Sequence, residues 1–140
     1  MHLNREQLQS YLPHRDPILL LDSADLTGTS IEAVRYIDPA LTIFDGHFPG
    51  HPVLPGAYLV ESLAQAAALL LLTFPENAGK TPYLAEVRRM RFLRQTAPGS
   101  TITLKAALTE NAGNGLYECS VSAYQEEDRL AAGVFMMALR

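Results

Sequence analysis

The sequence predicts an α+β fold in which a curled antiparallel β-sheet wraps around one long, central, buried helix. Three observations carry that expectation. Ala57 to Thr73 holds no Gly or Pro and is dominated by Leu and Ala, both good helix formers. This helix is apolar almost all round, with Glu61 and Gln65 its charged and amide exceptions, so it needs cover on every side. Short apolar or alternating segments broken by Gly, Pro and Asn surround it, and these read as strands and turns.

In chain order, Asn4 to Tyr11 reads as a short helix capped by Asn4 and stopped by Pro13. His14-Arg15-Asp16-Pro17 is a turn, and Ile18 to Leu21 a short apolar strand. Thr27-Gly28-Thr29 turns the chain into a second strand, Ser30 to Ile37, which Asp38-Pro39 ends. The stretch Gly46-His47-Phe48-Pro49-Gly50-His51-Pro52-Val53-Leu54-Pro55-Gly56 is no helix, because three prolines remove donors and fix φ. It is a rigid loop that delivers two histidines to the start of the long helix. After a turn at Pro75 to Gly79 come four segments read as a meander of strands: Tyr83 to Leu93, Thr101 to Leu108, Leu116 to Tyr124 and Leu130 to Leu139. The first of these mixes charged and apolar residues on both faces. The next two alternate cleanly, and the last is continuously apolar. A single antiparallel sheet curled round one helix is the hotdog arrangement. Its open edges favour the pairing of two protomers.

Residues 1–140 are long enough for one domain with a real core, and no linker or repeat divides them. A net charge of −4 excludes a generally basic nucleic-acid binder. The single Cys119 allows no internal disulfide, and no CxxC knuckle is present. The apolar run Leu63 to Phe74 falls short of the ~20 residues that span a bilayer. No signal core opens the chain, so a cytoplasmic protein without membrane insertion is the expectation.

The chemistry-bearing residues cluster at the loop and the helix. A histidine on a fixed loop can act as a base near neutral pH. A glutamate on an apolar helix is desolvated, which favours the neutral form and lets it act as an acid. His51 reads as a turn residue. A His47/His51 metal pair would need a helix that Pro49-Gly50 forbids, so no metal is expected. His14-Arg15 reads as structural.

Three stretches carry a family resemblance: Leu12-Pro13-His14-Arg15-x-Pro17-x-Leu19-Leu20-x-Asp22, Gly46 to Gly56, and Glu61-x-x-Ala64-Gln65-Ala66. Together with Val87-x-x-x-Arg91-Phe92-x-Arg94 and Pro98-Gly99, they resemble the FabZ-type 3-hydroxyacyl-[acyl-carrier-protein] dehydratases over nearly the whole chain. The resemblance implies a hotdog fold, assembled as a homodimer or a trimer of dimers with active sites shared between subunits. It implies His47 as catalytic base and Glu61 as catalytic acid. The Gly56 N–H would hold the thioester carbonyl, the Val53 carbonyl would orient His47, and the Gln65 amide would position Glu61. No cofactor is implied, because the substrate arrives on the phosphopantetheine of an acyl carrier protein. Arg88, Arg89, Arg91 and Arg94 form a candidate patch for that acidic carrier. Departures at Asp38-Pro39, Ala40-Leu41, Asp16, Ile18 and Gln95 spare the His47–Glu61 pair and bear on the acyl chain accepted and the pathway served. The rival readings are a hotdog thioesterase, which needs no His-Phe-Pro-Gly loop, and a non-catalytic acyl-binding partner subunit.

Overall fold

The computed structural model describes residues 1–140. Seven strands form one antiparallel sheet: β1 (His2–Leu3), β2 (Ser23–Thr27), β3 (Ser30–Tyr36), β4 (Pro82–Phe92), β5 (Thr101–Gly113), β6 (Leu116–Gln125) and β7 (Asp128–Leu139). Their spatial order is β1-β2-β3-β5-β6-β7-β4, and the sheet is not closed into a barrel. Three α-helices accompany it, α1 (Arg5–Leu8), α2 (Ile43–Gly46) and α3 (Gly56–Leu72), with a single 3-10 turn at Pro75–Asn77.

The core lies between the sheet and α3. Every residue from Ser62 to Leu72 is buried. Leu63, Leu69, Leu70 and Leu71 have no exposed surface and pack with Ile31, Ile102, Leu104, Val121 and Phe135 from the strands. Each such side chain contributes about 1.5–3 kcal/mol on burial, which is why a helix with little amphipathic contrast is stable here. The helix ends where Thr73 N–H reaches back to the carbonyls of Leu69, Leu70 and Leu71, and Asn77 Nδ2 donates to Leu71 O at 3.0 Å. The sheet and central helix are the hotdog architecture that the pattern predicts.

One expectation holds in detail: Asn4 caps α1 in a reciprocal capping box with Gln7. The β5–β6 hairpin closes on Asn114-Gly115, with φ of 56° and 75° at its two central residues, the left-handed pair that a two-residue hairpin requires.

Three expectations are corrected. Ile18 to Leu21 is not a strand. Ile18 N–H and Leu19 N–H both turn back to Arg15 O, Leu20 N–H goes to the Gln65 side chain, and the carbonyls of Leu19 and Leu21 accept from Arg5. With these groups engaged by side chains, the segment cannot join a ladder, although its leucines are buried. The strand falls instead on Ser23–Thr27, where Ala24 and Leu26 point inward. Next, the last four strands are not a sequential meander. β4 pairs with β7 rather than β5, and the 93–100 connection carries the chain across the start of α3. That crossing is stitched to the central loop by Leu54 N–H to Thr96 O at 2.9 Å and to the end of β3 by Gly99 N–H to Ile37 O at 2.7 Å. Finally, the proline loop is preceded by one helical turn, α2, which extends through Gly46.

β4 is therefore an eleven-residue edge strand, bulged near Arg89, with Tyr83, Val87 and Phe92 exposed along it. At the other edge lies the two-residue β1. A long exposed edge strand is a ready template for pairing with another chain.

Candidate active site

His47 sits immediately after α2, with its backbone N–H bonded to Ile43 O at 3.0 Å. The loop then folds on itself: Phe48 and His51 exchange backbone hydrogen bonds, and Val53 N–H returns to His47 O. This folding brings the Val53 carbonyl to 2.7 Å from His47 Nδ1. A carbonyl only accepts, so Nδ1 carries the ring proton and Nε2 presents a lone pair. The imidazole thus has the tautomer of a base. Its ring stacks on Phe48 at 4.1 Å between centroids.

Gly56 begins α3 after Pro55, and the helix has no side-chain cap at this end. Its first N–H groups are consequently unpaired within the helix and sit at the positive end of the dipole. The Gly56 Cα lies under the Phe92 ring so closely that an added Cβ would meet Phe92 Cε1 at 3.0 Å. His47, Gly56, Leu59, Phe92 and Arg94 share a cavity of about 310 Å³.

Glu61 lies one and a half turns further along α3 and does not line that cavity. It stands between two others. One, of about 490 Å³, is mostly apolar and includes Ile18, Leu41, Ile43 and Tyr58. The other, of about 180 Å³, lies between α3 and β4 and includes His14, Ala68 and Tyr83. Gln65 Nε2 donates to Glu61 Oε1 at 3.0 Å and to Ile18 O at 2.7 Å, while its Oε1 accepts from Leu20 N–H at 2.8 Å. The amide thus holds the carboxylate and the 18–20 segment together. His14 Nε2 lies 3.7 Å from Glu61 Oε1. Burial pushes the His14 pKa down, against a smaller upward pull from Glu61.

The structure therefore joins His47 with Val53 and Gly56, and Glu61 with Gln65, but keeps the two groups in separate cavities of one protomer. Arg88 is engaged by Glu86 at 2.8 Å and Glu118 at 3.3 Å, and Arg94 lies 3.8 Å from Asp128. Arg89 and Arg91 make no ion pair. His14 is the neighbour of Glu61 that residue-by-residue reading passes over. Arg35 and Tyr58 were also missed: Arg35 Nε donates to the Tyr58 hydroxyl at 3.0 Å and Nη1 to Asp22 at 3.0 Å, which sets a polar wall in the 490 Å³ cavity. The i, i+3 spacing of Tyr58 and Glu61 on the helix was the available signal.

The model of the ApeI-like family, described as ApeI dehydratase, matches residues 23–133. The chain is 42 % identical over 120 residues to the 3-hydroxyacyl-[acyl-carrier-protein] dehydratase FabZ of Enterococcus faecalis, covering 82 % of this chain and 85 % of that one. It is 34 % identical over 144 aligned residues to the FabZ of Syntrophomonas wolfei, covering 99 % and 97 %. Among solved structures, the dehydratase heterocomplex ApeI:P from Xenorhabdus doucetiae superposes with a TM-score of 0.79 at 19 % identity, covering 95 % of this chain and 90 % of that one. The fluoroacetyl-CoA thioesterase FlK superposes with a TM-score of 0.68 at 17 % identity, covering 83 % and 88 %. At such identities the two structures speak to the hotdog fold alone. With the family model spanning most of the chain and FabZ relatives aligned along nearly its whole length, this chain belongs to the FabZ-type and ApeI-like dehydratase family.

Proposed function

We propose that this chain dehydrates (3R)-3-hydroxyacyl thioesters, carried on the phosphopantetheine of an acyl carrier protein, to trans-2-enoyl thioesters in the cytoplasm. The single observation that carries this reading is the 2.7 Å approach of the Val53 carbonyl to His47 Nδ1, because a carbonyl can only accept, so the neutral ring keeps its proton on Nδ1 and leaves Nε2 free to take one. In the reaction His47 Nε2 takes the C2 proton. The released electron pair forms the C2=C3 double bond as the C3–O bond breaks, and Glu61 protonates the departing hydroxyl to give water. Negative charge that builds on the thioester oxygen faces the Gly56 N–H at the start of α3. No cofactor takes part.

Because His47 and Glu61 line different cavities of one protomer, the complete site takes His47 from one copy and Glu61 from a second. The exposed edge of β4, which carries Tyr83, Val87 and Phe92, is where the two copies join, as a dimer or a trimer of dimers. The carrier docks on the arginines of β4 and on Arg94 just beyond it, with Arg89 and Arg91 the members free of intramolecular ion pairs. Added salt then raises KM for the carrier-bound substrate far more than for a pantetheine thioester.

The reading is tested by incubating the protein with 3-hydroxyacyl carriers of varied length and following products by mass spectrometry. Loss of one water with the thioester intact is expected. Release of free acid with no enoyl product would instead favour a thioesterase.

A further inference from the structure

We propose that His14 is a positioning residue for Glu61, donating from Nε2 to Oε1 of the carboxyl so that Oε2 carries the acidic proton toward the substrate. The inference rests on the dehydratase reading of Glu61 and goes beyond it, because it selects the oxygen that does the chemistry.

The backbone at His14 is fixed from outside. The Arg15 guanidinium clamps Gln9 O, Leu12 O and His14 O at 2.7–2.9 Å. The ring is thereby held against α3 and β4, in the 180 Å³ cavity that also contains Glu61. Within this cavity Nδ1 is buried and has no hydrogen-bond partner. A buried N–H with no acceptor is costly, and a buried imidazolium would have to satisfy two. The ring proton therefore belongs on Nε2, the nitrogen that faces Glu61 Oε1 at 3.7 Å. That gap exceeds a hydrogen bond. A small torsion of the carboxyl closes it when substrate enters, as catalytic contacts commonly tighten on binding.

Gln65 already donates to the same oxygen at 3.0 Å. With two N–H groups directed at Oε1, the carboxyl proton resides on Oε2. The titratable and polar groups around the ring are Glu61 and Gln65 from α3 and Tyr83 from β4, and the cavity holds no second charged side chain. Burial also disfavours protonation of the ring, so the imidazole keeps its donor role and stays uncharged at neutral pH.

The test combines histidine ¹⁵N NMR on the intact protein with kinetics of His14→Phe and His14→Asn on a 3-hydroxyacyl pantetheine thioester. The expected tautomer is neutral with Nε2 protonated, and it persists below the pH at which an ordinary histidine charges. His14→Phe lowers kcat about tenfold with KM within about twofold, the loss of one hydrogen bond made to the reacting carboxyl. His14→Asn, whose amide can reach the same oxygen, recovers most of that rate. A proton on Nδ1, a fully active His14→Phe, or His14→Asn no better than His14→Phe would each overturn the proposal. A wild-type protein that forms no enoyl product would instead overturn the dehydratase reading, and the role with it. The tautomer still reports separately whether the His14–Glu61 contact exists.

Discussion

Replacing Gln65 with Leu removes the side chain that ties α3 to the 18–20 segment covering it. Gln65 is 1 % exposed, so water cannot take over its contacts. Leu fills nearly the same volume, which keeps the cavity contribution small. The principal loss is the Leu20 N–H, left buried without its 2.8 Å acceptor, at a cost of about 1–3 kcal/mol. The Ile18 carbonyl loses a donor too, but Ile18 is 51 % exposed and solvent can reach this segment, so its contribution is smaller. The expected destabilisation is about 2–3 kcal/mol. At an unfolding entropy of about 2.1 cal/mol/K per residue, this lowers Tm by roughly 7–10 °C. Urea unfolding followed by circular dichroism measures it, with an unchanged m-value showing that the unfolded state is not responsible. Turnover falls as well, because Glu61 loses its 3.0 Å donor. A Gln65→Leu protein within about 0.5 kcal/mol of wild type would refute the reasoning, since surface substitutions already reach that size.

Gly56→Ala separates substrate approach from folding. The new Cβ meets the half-exposed Phe92 ring at 3.0 Å in the cavity that His47 lines, so stability changes by less than about 1 kcal/mol while turnover falls at least about tenfold; equal losses in both would contradict this. His14 makes stability depend on pH. Its folded pKa lies below the unfolded value near 6.5, so its contribution is complete above that pH and is lost as pH falls toward the folded value. His14→Phe should therefore flatten the stability curve below about pH 6.5, as read by denaturant titrations at several pH values. Cys119 is fully buried with its thiol pushed up to about 12, so it should resist a disulfide reagent at pH 8 in the folded protein and react at once when unfolded in urea.

Much of this molecule is legible in its sequence, and the exceptions have physical causes. The Leu/Ala run without Gly or Pro leaves α3 no alternative to a buried helix. The prolines of the loop leave His47 no alternative to a fixed position. The Gln65–Glu61 contact follows from their standing one turn apart on α3, four residues apart, whereas the His47–Val53 contact was implied by the family resemblance and not by spacing. What failed was long-range pairing. Nothing local in Tyr83 to Leu93 says that this strand joins β7, because its ladder is chosen by where the 93–100 crossing can pass the helix. Ile18 to Leu21 looks like a strand because its leucines are buried. Beyond the local turn to Arg15 O, its backbone partners are Gln65, 45 residues away for Leu20, and Arg5, and periodicity cannot reveal those. The His14–Glu61 approach was hidden for the same reason: it joins the start of the chain to its central helix.

The most direct test of the shared site mixes two inactive proteins, His47→Ala and Glu61→Ala, under conditions that allow subunit exchange. In a dimer with two-fold symmetry, half the molecules formed at equal mixing are mixed, and each carries one site with both groups intact. Dehydratase activity should return to about a quarter of wild type, in proportion to the mixed species measured by native mass spectrometry. Mixed dimers that form and yet release no enoyl product would contradict a site built from His47 of one copy and Glu61 of the other.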